Sequence, residues 1–424
     1  MKKGTKKRRE TEAQNQTVFP IKEFVREQLF SFVIGLGMGE LYQILEDERT
    51  ALCGDRYRHQ GDRTAVRAGH VQGSLAMGGR QVSIPRPRVR SADAKKEIPL
   101  QAWEQFRDAD PLSERVMQQM ILGVSTRKYD RSLEETPRDL KTSGTSRSAV
   151  SRRFVKGTQK KLDELMGRDL SQHSFVTIMI DGVHFADHVV LVALGITGGG
   201  DKVILGLNEG ATENSRSCKA LLRSVIDRGV SNERAMLFSI DGSKALKKAV
   251  TDTWGDLAII QRCRLHKQRN VIEHLPKAMQ ATVRRSMRQA YKMRDPIKAK
   301  KLLLNLAAKL EDEHPGAAGS IKEGLEETLA INALNLPADL EKALVVTNAI
   351  ENLFSSVRTI SGRVKKWSGG KMVLRWSAAA LLEAEKKFRR IRGYKHLHRL
   401  EEALNNHEKK LGYGARIDAV KQTG

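Results

Sequence analysis

Three apolar, β-prone runs that follow one another closely are the feature that most constrains how this chain can fold. They occupy 175–183, 188–197 and 202–208, and only the short connections HFAD and TGGGD separate them. Consecutive strands with connections this short pair in antiparallel fashion. The runs therefore predict a meander of three strands. With 424 residues, 40% of them hydrophobic, the chain is long enough for two or three domains.

Helices and strands alternate after the meander. A helix at 213–228 is followed by a strand at 235–240, a helix through KALKKAVTDTW and a strand at 257–262. Strands that are joined by helices pair in parallel. Three meandering strands followed by alternating helices and strands is the order of the RNase H-like fold, also described as retroviral integrase-like. We therefore expect an α/β core of this type, in which the first strand is central and the fourth lies beside it.

Two of these strands end in Asp-Gly, which predicts carboxylates at neighbouring strand ends. Asp181 lies in FVTIMIDGVHF and Asp241 in AMLFSIDGSKAL, while a third carboxylate, Glu351, lies in VVTNAIENLFSSVR on a helix that Thr347 or Asn348 is expected to cap. Rigidly held carboxylates can share divalent cations, as in phosphoryl-transfer enzymes that hold two metals about 4 Å apart. Taken singly, each Asp-Gly is more often a tight turn. Together, the three residues predict a metal site.

The charge of the chain indicates a polyanionic partner. Lys and Arg number 75 against 50 Asp and Glu, which gives a formal net charge of +25. This excess repels basic partners and concentrates polyanions, of which nucleic acid is the first candidate. A basic ribosome-associated protein would carry the same excess, so charge alone does not separate it from an enzyme that acts on DNA.

Cysteine usage and hydropathy predict a cytoplasmic protein. The three cysteines, Cys53, Cys218 and Cys263, are widely spaced and odd in number, which argues against a disulfide framework and favours a reducing compartment. No apolar signal-peptide core follows the basic residues at the start, and no stretch approaches the roughly 20 apolar residues of a membrane span. We therefore expect no membrane as a partner.

Residues 21–170 predict a mostly helical DNA-binding region, after a basic tail at 1–20 that we expect to be disordered. Helical spacing from 21 to 53 predicts two helices separated by the glycines at 35–39. Residues 56–100 predict a small β-hairpin unit with a basic face. The arginines of that face that we expect to contact DNA are Arg86, Arg88 and Arg90.

Residues 112–166 return to helical spacing and predict a unit like a helix-turn-helix. Thr145 or Ser146 could cap a helix whose small and basic side chains suit phosphates and guanine edges. The alternative is an exposed basic helix that packs Val150, Phe154 and Leu162 on a core. The residues expected to contact DNA are Arg147, Ser148, Ser151, Arg152 and Arg153.

The chain beyond 266 is interpreted as a helical insertion followed by the last part of the core. Residues 267–343 are wholly helical in pattern and too long for a connection inside a compact domain. The core would then comprise 171–266 and 344–395. Residues 396–424 predict a C-terminal helical tail, exposed to solvent or in contact with a second subunit.

Basic residues are interleaved with aromatic ones after Glu351. The basic side chains can bind backbone phosphates, and the aromatic rings can stack on an unpaired base. Trp367, in the polar loop KKWSGGK, is the candidate for stacking on a base, whereas Trp376 is predicted to lie in the core. The expected DNA contacts of this segment are Lys365, Lys366 and Trp367.

These motifs together resemble the mutator-type transposases, bacterial insertion-sequence enzymes with an Asp-Asp-Glu active site. The resemblance is carried by the two Asp-Gly strand ends, the CRLH segment with Cys263 and His266, and the helix VTNAIENLFSSVR. Further matches in IPRPRVR, ILGVSTRKYDRSLE and SRSAVSRRF extend it from about 50 to 395. One departure is Val346, where the family often has threonine.

The resemblance implies that Asp181, Asp241 and Glu351 are the catalytic metal ligands. It implies Mg²⁺ as the metal, with Mn²⁺ able to substitute, and the terminal inverted repeats of an insertion sequence as the DNA that is cut and joined to target DNA. Joining two ends favours a homodimer or a larger assembly, associated with the bacterial nucleoid when bound to DNA. Residues expected to support the active site are His266, Cys263 and Arg358, with His266 near the scissile phosphate or a metal-bound water and Cys263 as a buried packing residue.

Two other classes of function remain open from the sequence. A non-catalytic DNA-binding protein derived from a transposase would bind cognate ends without cutting them. A structural RNA-binding protein would bind without preference for inverted repeats.

Overall fold

The computed structural model forms two compact units. The first comprises Met1–Met120 and Val124–Phe154, and the second comprises Ile121–Gly123 and Val155–Gly424. The predicted basic tail at 1–20, Thr145, Lys365 and the end of the chain beyond 413 lie outside the described residues. The residues that the structure describes are 21–58, 63–77, 80–93, 95–108, 111–133, 142–143, 146–210, 214–362, 364 and 366–413.

A long helix packed on a β-hairpin dominates the first unit. Strands β1 and β2 pair in antiparallel register with a bulge between Arg67 and His70, as the sequence predicted for 56–100. The short strands β3 and β4 both pair with β2. The elements are α1 (Ile21–Cys53), β1 (Ala65–Met77), β2 (Arg80–Ser91), β3 (Glu97–Ile98), α2 (Gln101–Asp108), α3 (Pro111–Ile121), a 3₁₀ helix (Asp130–Ser132), β4 (Thr142–Ser143) and α4 (Arg147–Met166), which crosses the boundary between the units.

The predicted break at 35–39 is wrong, because α1 is continuous from Ile21 to Cys53. Each glycine in a helix interior costs only about 1 kcal/mol relative to alanine, and no proline interrupts the segment. Packing offsets this cost, since Leu41 and Leu45 are buried against Val82 and Ile84 of the hairpin. Tertiary contacts therefore hold a helix that local sequence signals would divide.

A five-stranded mixed sheet forms the centre of the second unit. The strands lie in the order β7-β6-β5-β8-β9, with antiparallel pairing among the first three in sequence and parallel pairing of β5 with β8 and β8 with β9. The predicted meander, the central first strand and its parallel neighbour are thereby confirmed. The strands are β5 (Phe175–Phe185), β6 (His188–Thr197), β7 (Lys202–Glu209), β8 (Met236–Ile240) and β9 (Ala258–Arg262).

Helices cover both faces of this sheet. Side chains of β5 alternate between the faces, so Ile178 and Ile180 join one core cluster and Met179 and Val183 the other. Helices α5 (Ser215–Asp227) and α6 (Lys244–Trp254) pack in the first cluster. Helices α14 (Asn348–Ser361) and α15 (Gly370–Glu385) pack in the second. The strands are therefore buried on both sides, which explains their continuous apolar runs.

The chain between β9 and α14 consists of helices and turns. Val271, Met287 and Leu303 belong to a separate apolar cluster of this segment. None of the helices in the described part of the chain has the length and apolarity needed to span a bilayer. The helices of this segment are α7 (Arg264–Glu273), α8 (Lys277–Tyr291), α9 (Pro296–Leu310), α10 (Pro315–Lys322), α11 (Leu325–Thr328), α12 (Ala330–Ala333) and α13 (Ala338–Leu344).

The last described helix, α16 (Leu397–Lys410), packs into the core. Leu397, Leu400 and Leu404 form one helical stripe that is buried in the same cluster as α14 and α15. The Glu408 carboxylate accepts hydrogen bonds from the backbone N–H of Ala235 at 2.7 Å and from Arg234 Nε at 3.2 Å. The prediction of a solvated or subunit-contacting tail is thus wrong for α16.

Candidate active site

The two aspartates lie side by side because of the register of β5 and β8. Ile180 pairs with Ile240 in the parallel ladder, and an aspartate follows each of them. The Asp241 carboxylate comes directly after β8 and accepts the Ser243 N–H at 2.9 Å. The Asp181 carboxylate is 8% exposed and accepts the Gly182 N–H at 2.8 Å.

The interpretation of Asp181 as strand-terminal is wrong in one respect. Strand β5 continues to Phe185, because its antiparallel pairing with β6 persists to the Phe185–His188 pair. Only the parallel pairing with β8 stops before Asp181, at Ile180 and Ile240. At Asp181, pairing with β8 has therefore already ended, whereas β6 still pairs with the backbone of β5.

Helix α14 carries Glu351 to the same place. Its buried stripe, Ile350, Leu353 and Phe354, packs in the core and fixes the helix rotation that directs Glu351 toward the aspartates. Thr347 occupies the predicted N-cap position, but its side chain caps no backbone N–H. Its hydroxyl instead lies 3.4 Å from both Glu351 Oε1 and Cys263 Sγ.

One cavity of about 710 Å³ gathers the predicted catalytic residues. Asp181, Asp241 and Glu351 line it together with His266 and Arg358. Asp181, His266 and Glu351 each offer a ligand atom, and these atoms lie within 4.8 Å of one another. Asp241 lies outside this tight group. The structure thus brings together residues from two strands and two helices that are separated by as much as 170 positions, from 181 to 351.

Burial and clustered charge shift the acid–base behaviour of the site. Burial raises the pKa of Asp181 to about 6, and the carboxylates of Asp241 and Glu351 add to the rise, against the Gly182 N–H and His266. The adjacent Cys263 sulfur raises the pKa of His266 to about 9 against the effect of burial, and Asp181 and Glu351 add to this rise. Burial opposes the Cys263 thiolate, but His266 and Thr347 outweigh it, so the pKa of Cys263 is lowered.

The donor set fits a divalent cation. It offers carboxylate oxygens from three residues, the ligands that Mg²⁺ and Mn²⁺ prefer in proteins. Among the residues that the structure describes, no lysine or arginine forms an ion pair with Asp181, Asp241 or Glu351. The imidazole of His266 lies near Glu351, with 3.8 Å between Nε2 and Oε1. A cation would offset the burial that chiefly raises the pKa of Asp181, and also the smaller repulsion from the Asp241 and Glu351 carboxylates.

The supporting residues take different positions. Cys263 is completely buried and immediately precedes α7, which agrees with its interpretation as a packing residue. His266 lies in the first turn of α7 and faces the cavity, and Arg358 lines the cavity from α14.

Two of the three candidate arginines of the hairpin, Arg86 and Arg88, are held by internal partners. Arg86 and Arg88 form ion pairs with Glu97 at 3.0 and 2.6 Å, and the Arg86 guanidinium also lies over the Trp103 ring at 5.4 Å. Arg90 is half-buried on the same strand. Their contact with DNA stays a prediction.

Helix α4 has an exposed polar face and a buried apolar one at its start. The Ser146 hydroxyl accepts the Ala149 N–H at 3.2 Å, as expected of a capping residue. Val150 and Phe154 are buried, so this part of the helix is amphipathic as predicted. Among the residues expected to contact DNA, Arg153 is half-buried, and those exposed to solvent are Arg147, Ser148, Ser151 and Arg152.

Trp367 packs against the core of the second unit. Its ring makes T-shaped contacts with the rings of Phe185 and Trp376 at centroid distances of 5.2 and 6.3 Å, and both tryptophans are half-buried. The neighbouring Lys366 is exposed. The stacking of Trp367 on a DNA base stays a prediction.

Arg262 and Arg269 also line the cavity and were not among the residues selected from the sequence. Arg262 ends β9, directly before Cys263, so a charged residue at the end of the apolar run AIIQR was the available signal. Arg269 lies three residues after His266 on α7, which places it on the same helix face.

A mixed sheet covered by helices on both faces, with clustered carboxylates at the edge where its parallel strands end, defines an α/β protein with an acidic candidate metal centre. The chain belongs to the family described as "Transposase, Mutator family", whose sequence pattern matches residues 7–390. The resemblance inferred from the motifs is thereby confirmed.

Several similar proteins are named as insertion-sequence transposases. The chain is 28% identical over 269 residues to the transposase for insertion sequence element IS6120 of Mycolicibacterium smegmatis, which covers 62% of this chain and 80% of the relative. It is 23% identical to the transposase for IS256 in transposon Tn4001 of Staphylococcus aureus, with 82% and 86% covered. For the ISRM5 transposase of Rhizobium meliloti the identity is 24%, with 87% and 91% covered.

Proposed function

We propose that this protein is a metal-dependent DNA transposase with an RNase H-like core, which binds the terminal inverted repeats of its insertion sequence and catalyses strand cleavage and strand transfer. The observation that carries the proposal is the convergence of Asp181, Asp241 and Glu351 on one cavity. The strand order β7-β6-β5-β8-β9 supports the RNase H-like interpretation. Membership of a transposase family supports DNA as the substrate.

The chemistry requires an in-line displacement at phosphorus. In cleavage a water oxygen attacks and a 3′ oxygen leaves. In strand transfer the freed 3′ hydroxyl attacks a phosphorus of the target strand and displaces the 3′ oxygen of the neighbouring target nucleotide. Asp181, Asp241 and Glu351 would hold Mg²⁺ or Mn²⁺, which would activate the attacking oxygen and stabilise the leaving oxygen. No covalent enzyme intermediate is required.

The cationic side chains of the cavity have separate roles. Arg269 and Arg358 line it beside the carboxylates and would bind the charged phosphate oxygens of the strand that enters. The raised pKa of His266 keeps its imidazole protonated at neutral pH, so it would donate to a phosphate oxygen or to Glu351. Its role would therefore be electrostatic and positioning.

Strand cleavage with single-residue variants tests the proposal. Duplexes cut from the DNA on either side of the reading frame, which should contain the inverted repeats, are incubated with Mg²⁺ or Mn²⁺. Asp181→Asn, Asp241→Asn and Glu351→Gln should bind these duplexes but lower nicking by roughly a hundredfold or more, since a metal supplies several kcal/mol. Asp187→Asn is the matched control, because Asp187 is exposed in the turn after β5 and does not line the cavity.

The alternative is a non-catalytic DNA-binding protein derived from a transposase. It predicts binding of the flanking duplexes with no cleavage by the wild-type protein under either metal. The gathered carboxylates favour the enzyme, because a protein that only binds DNA gains nothing from negative charge at the DNA surface.

A homodimer or larger assembly also follows from the proposed reaction, since two element ends must be joined. Binding of one protein dimer to two labelled end duplexes in sedimentation experiments would support it.

A further inference from the structure

A second cavity adjoins the carboxylate cavity. Its volume is about 420 Å³, within the range of roughly 300–1,000 Å³ typical of small-molecule sites. Gly242 and Arg262 line both cavities, so the two are neighbours at that point. Its apolar wall comes from the strand ends and from the helices that follow, and consists of Ile240, Ile260, Leu304 and Leu325.

The side chain of Arg262 lies in a slot between two glycines. A Cβ atom at Gly242 would lie 2.0 Å from Arg262 Nε, and one at Gly324 would lie 2.8 Å from Nη1. Both glycines also have positive φ, of 101° and 59°. Any other residue at either position would push the guanidinium out, so the backbone is shaped around this arginine.

One donor of this buried arginine lacks a protein partner. Arg262 is 6% exposed, and its Nη1 and Nη2 atoms bind the Glu323 carboxylate at 3.3 and 3.4 Å, with a further bond from Nη1 to the Glu323 carbonyl at 3.2 Å. Its Nε atom is buried and has no hydrogen-bond partner among the described residues. A buried unpaired donor is destabilising, and an anionic ligand oxygen would satisfy it.

The charge of the cavity favours an anion. Five cationic and three acidic side chains line it. Three of the rim lysines are bound by acidic neighbours, Lys247 by Glu327, Lys300 by Glu326, and Lys322 by Glu311, which does not itself line the cavity. Lys244 is highly exposed and lies 3.6 Å from Glu323, which Arg262 already binds. The cations therefore outnumber the anions beside an apolar wall.

We propose that this cavity holds one unstacked nucleotide of the substrate DNA, adjacent to the phosphate that is cut at the carboxylates. Its phosphate would bind Arg262 and its base would lie against Leu304 and Leu325. A nucleotide combines an anion with a flat, weakly polar ring, and flipped bases are commonly held between apolar side chains. The volume of about 420 Å³ admits one nucleotide. This inference rests on the proposed function, because it takes the adjoining cavity to be the site of strand cleavage.

Fluorescence of 2-aminopurine tests whether a base leaves the stack. The base analogue is placed in turn at each position within three nucleotides of the cut that the wild-type protein makes, and the duplex is bound to the Asp241→Asn variant so that it stays intact. One position should show a severalfold rise in fluorescence. Adding Leu304→Asp should abolish the rise while DNA binding persists.

Ile297→Asp is the matched control on the same helix. Ile297 is 78% exposed on α9 and does not line the cavity, so this variant should keep both the fluorescence rise and the nicking activity. It introduces the same charge as Leu304→Asp and thereby separates the effect of the cavity from that of a new carboxylate on α9.

A neutral phosphate analogue tests the role of Arg262. Methylphosphonate in place of the phosphate next to the unstacked base should weaken binding by wild-type protein roughly tenfold or more, as expected for a lost charge-assisted hydrogen bond. Arg262→Gln should bind natural DNA more weakly and show no further loss with methylphosphonate. Leu304→Asp tests the apolar wall and Arg262→Gln tests the phosphate contact. If one of these variants fails to fold, the other still provides a test.

The possible results are distinguishable. The second cavity does not hold a base if wild-type protein nicks the duplex but 2-aminopurine fluorescence rises at no position. The same conclusion follows if the rise is as large with Leu304→Asp added as with Asp241→Asn alone. If methylphosphonate weakens DNA binding equally in wild type and in Arg262→Gln, Arg262 does not bind this phosphate. Tight binding of free 2-aminopurine deoxynucleoside monophosphate in the cavity would indicate a free-nucleotide site and overturn the inference. If the wild-type protein neither binds nor nicks, the proposed function fails and the inference fails with it.

Discussion

The Thr347 hydroxyl lies 3.4 Å from Glu351 Oε1 and an equal distance from Cys263 Sγ, although Thr347 occupies the N-cap position of α14. A side chain in this position would ordinarily cap the helix. Here the Thr347 side chain is completely buried, and its hydroxyl lies between Cys263, which follows β9, and the Glu351 carboxylate on α14. The contact restrains Glu351 toward Asp181 and His266.

Removal of this hydroxyl should weaken catalysis more than DNA binding. Thr347→Val keeps the shape and removes the donor, so we expect strand cleavage to fall by roughly 2- to 10-fold, the equivalent of one neutral hydrogen bond. Thr347→Ser keeps the hydroxyl and should retain most of the activity. Cleavage rates at saturating DNA, with affinity measured separately, check this. Equal rates for Thr347→Val and wild type would exclude a positioning role.

Divalent cations should stabilise the folded protein through the three carboxylates. A ligand that binds only the folded state raises stability by RT ln(1 + [L]/Kd), about 2.7 kcal/mol at a hundredfold excess over Kd. We expect Mg²⁺ or Mn²⁺ to raise the midpoint of thermal unfolding of wild type and of Asp187→Asn. Asp241→Asn and Glu351→Gln should show a smaller rise. An equal rise in all four proteins would place the bound metal elsewhere.

Asp181 should make metal-free stability fall as pH rises from about 4 to 6. Burial raises the pKa of Asp181 to about 6, so the folded protein retains a proton that the unfolded chain has lost over this range. Above pH 6 the buried carboxylate costs about 2 to 3 kcal/mol, at about 1.4 kcal/mol per pKa unit. Asp181→Asn should remove this cost.

Denaturant unfolding in a chelator checks the prediction at two pH values. At pH 7.5 Asp181→Asn should be more stable than wild type, whereas at pH 4 the two should be similar. Added Mn²⁺ should reverse the order at pH 7.5, because only wild type retains the charged ligand. A difference between the proteins that does not change with pH would contradict the assigned pKa.

The packing of α16 predicts a large effect from a leucine near the end of the chain. Leu404 is buried in the core with Leu397 and Leu400, so Leu404→Ala should cost about 2 to 5 kcal/mol in free energy of unfolding. Asn406→Ala, at an exposed position of the same helix, should cost little. A small loss for Leu404→Ala would restore the interpretation of this segment as a solvated tail.

Much of the second unit could be predicted from local patterns. The short connections of the first three strands required a meander, and the helices between the later strands required parallel pairing. Register then brought Asp181 and Asp241 together, because aspartates that directly follow paired isoleucines emerge at the same edge. The stripe of Ile350, Leu353 and Phe354 indicated which face of α14 would be buried, and thereby where Glu351 would point.

Other features depended on contacts between distant segments. Helix α1 continues through the glycines at 35–39 because the hairpin packs on Leu41 and Leu45. Strand β5 extends beyond Asp181 because β6 continues to pair with the residues that follow. The half-buried Trp367, which local polarity suggested for DNA, packs on Phe185, 182 positions earlier in the sequence. None of these partners is visible in a short window of sequence.

The sequence by itself determined the strands, their order and the three carboxylates, because periodicity, connection length and residue chemistry are local properties. Only the tertiary structure decided that His266 joins Asp181 and Glu351 within 4.8 Å, that Thr347 restrains Glu351 instead of capping its helix, and that Gly242 and Gly324 enclose Arg262. These arrangements depend on close packing of segments far apart in the chain, where displacements of an ångström decide which atoms meet.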